Sequence, residues 1–515
     1  MKSLNMYKFL MALVFVSLAG CGDDFFNINP PGDKLSDANF FVGEADSQAA
    51  LIAVYDAIQK QATYQGDDFN RIENYPLGDI IVSTGEPDDY EFSNLNWDRG
   101  FFRLGNSWRA FYAGIARANK VIDGVSGMTD DQLVESKRLT IIAQAKYLRA
   151  IMYFPLVRLF GDVPLVLAAP SLENDMFPAR TPAVQVWEQI KLDLMDASTS
   201  LPKAWSGEDV GRATQGSALA MLAKVSLYTK EYDQTIKYAE ELFALNEYGL
   251  LSSYRDVFSD FNEWNEEIVF ATRYQETKVG GWGDENEGQL NLPLYLPTGV
   301  PTELTNQYGG WGGLGIRDNF WNSFERDTDD KIIDKRFSAM FLMQGETHPT
   351  LPFTYDTLVN FTTGNFPGAF IKYWYKPADV NQVYSGQDIP ISRFAEVLLD
   401  YAEALNEEGR SDDALIYINK IRTRAGLPDF DSTDKDEILM QIMEERRKET
   451  FYEANLFSEI NRRGLFLEWI KEKREDISKL NLNKPFLQTN PILMPIPLSE
   501  LEINPNLTQN EGYDF

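Results

Sequence analysis

Residues Leu222 to Leu242 read LAKVSLYTKEYDQTIKYAEEL, and residues Tyr401 to Ile421 read YAEALNEEGRSDDALIYINKI. Set side by side, Ala223 and Ala402 share one position, Thr235 and Ala414 a second, and Tyr238 and Tyr417 a third. Apolar residues recur at helical spacing on both sides of a short polar turn. Small side chains at the matched points let two antiparallel helices approach closely, which is the spacing of a tetratricopeptide hairpin. Generic antiparallel packing needs no such register, and two copies of it favour the repeat.

Helical period also runs through Leu133 to Phe160, Val184 to Ala197, Ser217 to Leu245, Phe394 to Ala425 and Ile438 to Asn461. The first of these stops at Gly161, and Thr181-Pro182 offers an N-cap and first-turn pair for the next. From about 250 to 390 the composition changes. Gly, Pro, Asn, Trp and Tyr dominate there, helical period is weak, and strand-like pieces occur at Glu267 to Arg273 and Ala369 to Tyr375. The expectation is an all-α fold in one domain, residues 21–515, with tetratricopeptide-like helical hairpins over about 40–250 and 391–470. The loop-rich insertion with its short strands occupies about 250–390, and an extended C-terminal segment covers about 471–515. The hairpins are not tandem in sequence, and loops on a rigid scaffold are where binding resides.

Composition narrows the chemistry. The chain has 515 residues, a formal net charge of −30, one cysteine and one histidine. Such a field repels phosphate backbones, so nucleic acid is not an expected partner. It favours a neutral ligand over an anionic one, although screening leaves a local pocket free to differ. No intrachain disulfide and no Cys/His metal cluster can be built. His348 lies in ETHPTLPF, before a proline, and reads as a surface-loop histidine, not as a triad member. Neither a catalytic residue, a cofactor nor a metal site is assigned, although carboxylates are too abundant for counting to exclude an acid/base pair.

The N-terminus reads MKSLNMYKFLMALVFVSLAGCGDD. Lys2 and Lys8 precede an apolar run from Phe9 to Leu18 that is too short to span a bilayer. It ends in Leu18-Ala19-Gly20-Cys21, the pattern of a bacterial lipoprotein signal. Residues 1–20 are therefore expected to be a signal peptide, and Cys21, the sole cysteine, the site of lipidation and membrane anchoring.

Two glycine-flanked tryptophans stand in the insertion, Trp282 in GGWGDENEG and Trp311 in YGGWGGLG. The second stretch contains G-x-G-x-x-G from Gly310 through Gly312 to Gly315, but no strand precedes it and no βαβ pattern surrounds it, so a dinucleotide loop fails on context. Glycines on both sides leave an indole uncovered, and a flat indole stacks on the apolar face of a sugar while amides bond its hydroxyls. Trp321 and Tyr295 are further aromatic candidates, whereas Trp108, spaced with Phe111, Tyr112 and Ile115, reads as core.

Several segments together resemble the SusD/RagB family of Bacteroidetes outer-membrane lipoproteins: AKYLRAIMYFPLVRLFGDVPL from Ala145, RFAEVLLDYAEALNE from Arg393, INKIRTRAGLP from Ile418, MEERRKETFYEANLF from Met443 and MPIPLSELEINPNLTQNEGY from Met494. The resemblance covers nearly the whole chain. It departs after Glu453, where Ala454-Asn455-Leu456-Phe457 replaces a Gly-His-Arg-aromatic pattern in a scaffold segment. The resemblance implies a non-enzymatic lipoprotein at the cell surface. It would capture an oligosaccharide, or in the RagB branch a peptide, as a lid over a SusC-like TonB-dependent transporter. It also implies ligand contacts from the segment before the Trp108 helix, which adds Asn94, Asn96 and Trp97 to the candidates. A surface glycosidase is the remaining alternative, and no motif marks its carboxylate pair.

Overall fold

The computed structural model describes residues 40–64, 67–82, 84–168, 176–259, 261–274, 315–355, 368–373, 386–453 and 455–513. Helices lead: α1 (Glu44–Ile58), α2 (Asp67–Asn74), α3 (Pro87–Ser93), α4 (Phe102–Ser126), α5 (Glu135–Phe160), α6 (Ala183–Ser200), α7 (Gln215–Tyr228) and α8 (Tyr232–Ala244). Two short helices follow, α9 (Asp318–Asn322) and α10 (Lys335–Met340). Then come α11 (Phe394–Glu407), α12 (Ser411–Arg424), α13 (Lys435–Glu449), α14 (Leu456–Asn461), α15 (Phe466–Lys473) and α16 (Leu498–Ile503). Six strands of two to five residues, β1 (Ile80–Ile81), β2 (Ile268–Thr272), β3 (Gly315–Ile316), β4 (Phe341–Met343), β5 (Gly368–Phe370) and β6 (Ile389–Arg393), pair antiparallel as β1–β3, β2–β6 and β4–β5. The all-α expectation with a few short strands holds.

The repeat register is physical. The α7–α8 turn places Lys230 at φ 61°, and the α11–α12 turn places Gly409, the matched residue, at φ 76°. Lys230 N–H donates to Leu227 O at 3.2 Å and Gly409 N–H to Asn406 O at 3.2 Å. The next residues repeat the agreement, Glu231 N–H to Ser226 O and Arg410 N–H to Leu405 O, both at 2.8 Å. The matched small residues meet: Thr235 Oγ1 donates to the carbonyl of Ala223 at 3.2 Å. Although the hairpins are far apart in sequence, α8 packs on α11, so they are neighbours in space. Phe243 of α8 seals that joint, with ring centroids 5.5 Å from Phe394 and 5.3 Å from Tyr401.

Local chemistry explains two deviations from regular helix. Pro155 lies inside α5 and has no N–H, so the carbonyl of Ile151 loses its helical donor. Tyr64 supplies one, its hydroxyl 2.5 Å from Ile151 O. Helix α6 starts at Ala183, two residues after the expected cap Thr181. Its first N–H is taken by Asp162 Oδ1 at 2.8 Å, a side chain from across the preceding loop. Sequence spacing did not bring Asp162 to that end.

The core carries buried charge. Arg393, 1% exposed, donates to Glu267, Glu449 and Glu453 at 2.8–2.9 Å. Arg424 reaches Glu267 at 3.0 Å and Glu449 at 2.5 Å, and Arg336 reaches Asp334 and Glu445 at 2.8 and 2.7 Å. Lys224 of the first hairpin ties Glu396, Asp400 and Glu459 together at 2.8, 3.0 and 3.2 Å. Such ions are tolerated because every charge meets an opposite one at hydrogen-bond distance. His348 is also buried, 3% exposed, which corrects the surface-loop expectation. Its Nδ1 accepts the N–H groups of Thr350 and Leu351 at 3.2 and 3.1 Å, so it closes its own turn.

Candidate ligand-binding site

The segment before α4 carries three of the expected contact residues, and the structure turns most of it inward. Leu95 adopts φ 64°, which swings the chain back after α3. Trp97 is fully buried. It stacks between Phe92 at 5.6 Å and Phe486 at 5.0 Å, and its indole N–H donates to Phe92 O at 3.0 Å. Phe92 stacks on Phe101 at 4.4 Å, and Phe486 on Tyr513 at 4.6 Å. Five rings thus form a continuous pile that docks the C-terminal segment onto the N-terminal half. Trp97 is a core residue and not a ligand platform, because neither of its faces reaches solvent.

Asn94 is likewise corrected. It is 2% exposed, its Oδ1 accepts from Arg474 Nη2 at 2.5 Å, and Arg474 also donates to the carbonyl of Ser93. Asn96 is half-buried, with Nδ2 donating to Glu91 at 2.6 Å and Oδ1 accepting from Asn481 at 3.1 Å. Both ends of that amide are engaged within the protein.

Trp321 sits half-buried on α9. Its indole N–H points to Asp318 Oδ1 at 3.3 Å, and the Arg326 guanidinium lies 5.2 Å over its ring. This helix belongs to the same neighbourhood as Asn94 and Asn96. Arg474, bonded to Asn94, pairs with Asp476 at 2.7 Å, and Asp476 pairs with Arg317, the residue before α9, at 3.0 Å. Burial raises the Asp476 carboxyl, but Arg474 and Arg317 outweigh it and hold the group below the usual carboxylate range. The arm that contains Trp311 rejoins the described structure here too. Gly315 opens β3 opposite Ile81, where a Cβ would come within 3.1 Å of the isoleucine side chain. Trp282, Tyr295 and Trp311, like Cys21 and residues 1–20, lie outside the described residues.

Among the described residues no group of three or more His, Cys, Asp and Glu could hold a metal ion, and no helix is long and apolar enough to cross a membrane. Helix periodicity does not register the aromatic wall formed by Trp187 with Tyr228, because each ring reads as one more apolar position.

This is a helical-repeat binding scaffold carrying a loop-rich insertion. Residues 266–513 match the sequence profile described as "SusD family", and residues 33–227 match the one described as "Starch-binding associating with outer membrane". The chain belongs to the SusD family. It is 25% identical to SusD-like protein P25 of Formosa agariphila over 98% of this chain and 99% of that protein. A SusD superfamily protein from Bacteroides vulgatus shares the fold at TM-score 0.78 and 23% identity, covering 92% of this chain and 100% of that one. A structure described as a laminarin binding SusD-like protein does so at TM-score 0.74 and 24% identity, with the same coverage.

Proposed function

We propose that this protein is a cell-surface glycan-binding lipoprotein. It captures oligosaccharides and delivers them, as a lid, to a SusC-like TonB-dependent transporter, without catalysing a reaction. The observation that carries this reading is the pair of family matches over residues 33–227 and 266–513, the first of which has a starch-binding description. The laminarin-binding relative of the same fold adds support. Trp321 beside the point where the Trp311 arm rejoins the scaffold is the geometry that fits it best. Trp282, Trp311 and Tyr295 supply the stacking surfaces in this reading, and Asn96 stands at its edge.

Calorimetry on the chain from Gly22 onward tests it, against neutral oligosaccharides, anionic oligosaccharides and mixed peptides. Saturable heat with one glycan class is expected, and Trp282→Ala or Trp311→Ala should weaken it by about 1–3 kcal/mol per ring, by analogy with base stacking. Unchanged affinity in both variants would refute these platforms. Heat from peptides alone would move the protein to the RagB side, and released sugar products would make it a glycosidase.

The anchor in this reading is acyl chains on Cys21. Cys21→Ser should leave the protein in the soluble fraction after cell lysis. A variant that still sediments with membranes through a high-salt wash would refute lipid anchoring.

A further inference from the structure

A cleft of about 610 Å³ opens where the end of α5, the start of α6, the α7–α8 turn, α14 and the last residues of the chain converge. That volume is in the range of small-molecule sites. One wall is aromatic. Trp187 and Tyr228 are half-buried, with ring centroids 5.8 Å apart and planes tilted by 40°. Phe154 backs both edge-on at 5.7 and 5.0 Å, so the rings are held from behind.

The cleft also carries cations that form no ion pair among the described residues. Arg180 donates to the carbonyls of Asp162, Thr508 and Phe160 at 2.7, 3.0 and 3.2 Å and to Asn510 Oδ1 at 2.5 Å. All four acceptors are uncharged, and among the described residues no carboxylate lies within ion-pair distance of it. Burial accordingly lowers its pKa. Lys230, exposed at its left-handed turn, likewise has no ion pair among the described residues. The contrast is local. Arg462 and Arg463 line the same cleft, yet Glu403 takes both at 2.6 and 2.7 Å. Of the two lining carboxylates, Asp162 accepts the Ala183 N–H and acts on Arg180 through space from beyond ion-pair distance, and Glu511 is exposed at the rim. The exposed amide of Asn490 takes no partner from the described residues.

An aromatic wall, two cations without an ion pair and an open amide stand together here in a chain of net charge −30. We infer that this cleft binds an anionic sugar residue, carboxylated or sulfated. The ring lies on Trp187, the anion meets Lys230 in the field of Arg180, and Asn490 bonds a hydroxyl. The inference rests on the glycan-binding reading and gives it a second subsite with its own selectivity. It also reverses, for this cleft, the preference for neutral ligands that net charge suggests, because a short-range field outweighs a screened global one.

Calorimetry with tetragalacturonate, a sulfated carrageenan tetrasaccharide, maltotetraose and laminaritetraose tests it. One or both anionic probes should bind, and the pair separates carboxylate from sulfate recognition. Lys230→Gln should weaken that binding about tenfold, the loss of one charge-assisted hydrogen bond. Glu511→Gln should tighten it, and added salt should weaken it. Both positions are exposed, so these variants fold, and neither should alter the affinity of a neutral probe. Anionic binding that is equal in both variants, or heat from neutral probes alone, overturns the subsite and leaves glycan capture standing. Silence with all four carbohydrates, with heat from peptides, overturns both.

Discussion

Arg393→Met is expected to destabilise the fold by about 3–5 kcal/mol, the usual consequence of removing one partner from a buried ion cluster. The substitution leaves Glu267, Glu449 and Glu453 facing one another in the interior, each stripped of a donor 2.8–2.9 Å away. Coulomb repulsion among desolvated carboxylates then adds to the lost hydrogen bonds. Urea unfolding followed by circular dichroism measures the effect, and a loss under about 1 kcal/mol would place the cluster with exposed, weakly coupled pairs. The same cluster sets an acid limit. Burial opposes the charge of Glu449, but Arg424, Arg393 and Arg336 outweigh it and hold its carboxyl down at about 2. A group depressed in the folded state stabilises above the ordinary glutamate range. That contribution is lost progressively as pH falls from there toward about 2. Glu449→Gln should flatten this part of the stability profile while lowering stability at neutral pH.

Trp97→Ala is expected to cost about 3–5 kcal/mol, the range for emptying an aromatic site in a packed core. It opens a gap between Phe92 and Phe486 and removes the donor to Phe92 O. The C-terminal segment, held through Phe486 and Tyr513, should become more accessible to protease. Trp97→Phe keeps a stacking ring and should recover much of the loss. Whatever glycan the protein binds, the folded fraction of either variant should bind it with wild-type affinity. Wild-type stability combined with abolished binding in Trp97→Ala would return this residue to the ligand site.

Much of the scaffold is legible because hairpin packing is a local code. Ala223, Thr235 and Lys230 in one copy, and Ala402, Ala414 and Gly409 in the other, need only their near neighbours to fix a turn. The site is less legible because its contacts are distant. Trp97 sits in a polar, loop-like segment, and its burial depends on Phe486, which no nearby pattern announces. Asn94 is withdrawn by Arg474 and His348 by its own turn, each through hydrogen bonds that periodicity does not encode. The buried ions show the same limit. A helix pattern sends Lys224, Arg446 and Glu449 to solvent by polarity, whereas partners from other helices hold them inside.

The pairing of β2 with β6 has a consequence for how such a protein diversifies. Thr272 and Ile389 are direct partners, and Phe394 N–H closes the joint on Glu267 O at 2.9 Å. The chain therefore leaves the frame and comes back to it side by side at this joint, pinned by Arg393 against Glu267, and between the two it is tied in again where β3 pairs with β1 and where Arg336 meets Glu445. Change of length and sequence is then confined to the stretches between these ties. Closure entropy rises by only about 0.6 kcal/mol per doubling of loop length. A stretch between two such ties can thus be exchanged for one of different size while the helices, the ion cluster and the ring pile stay as they are.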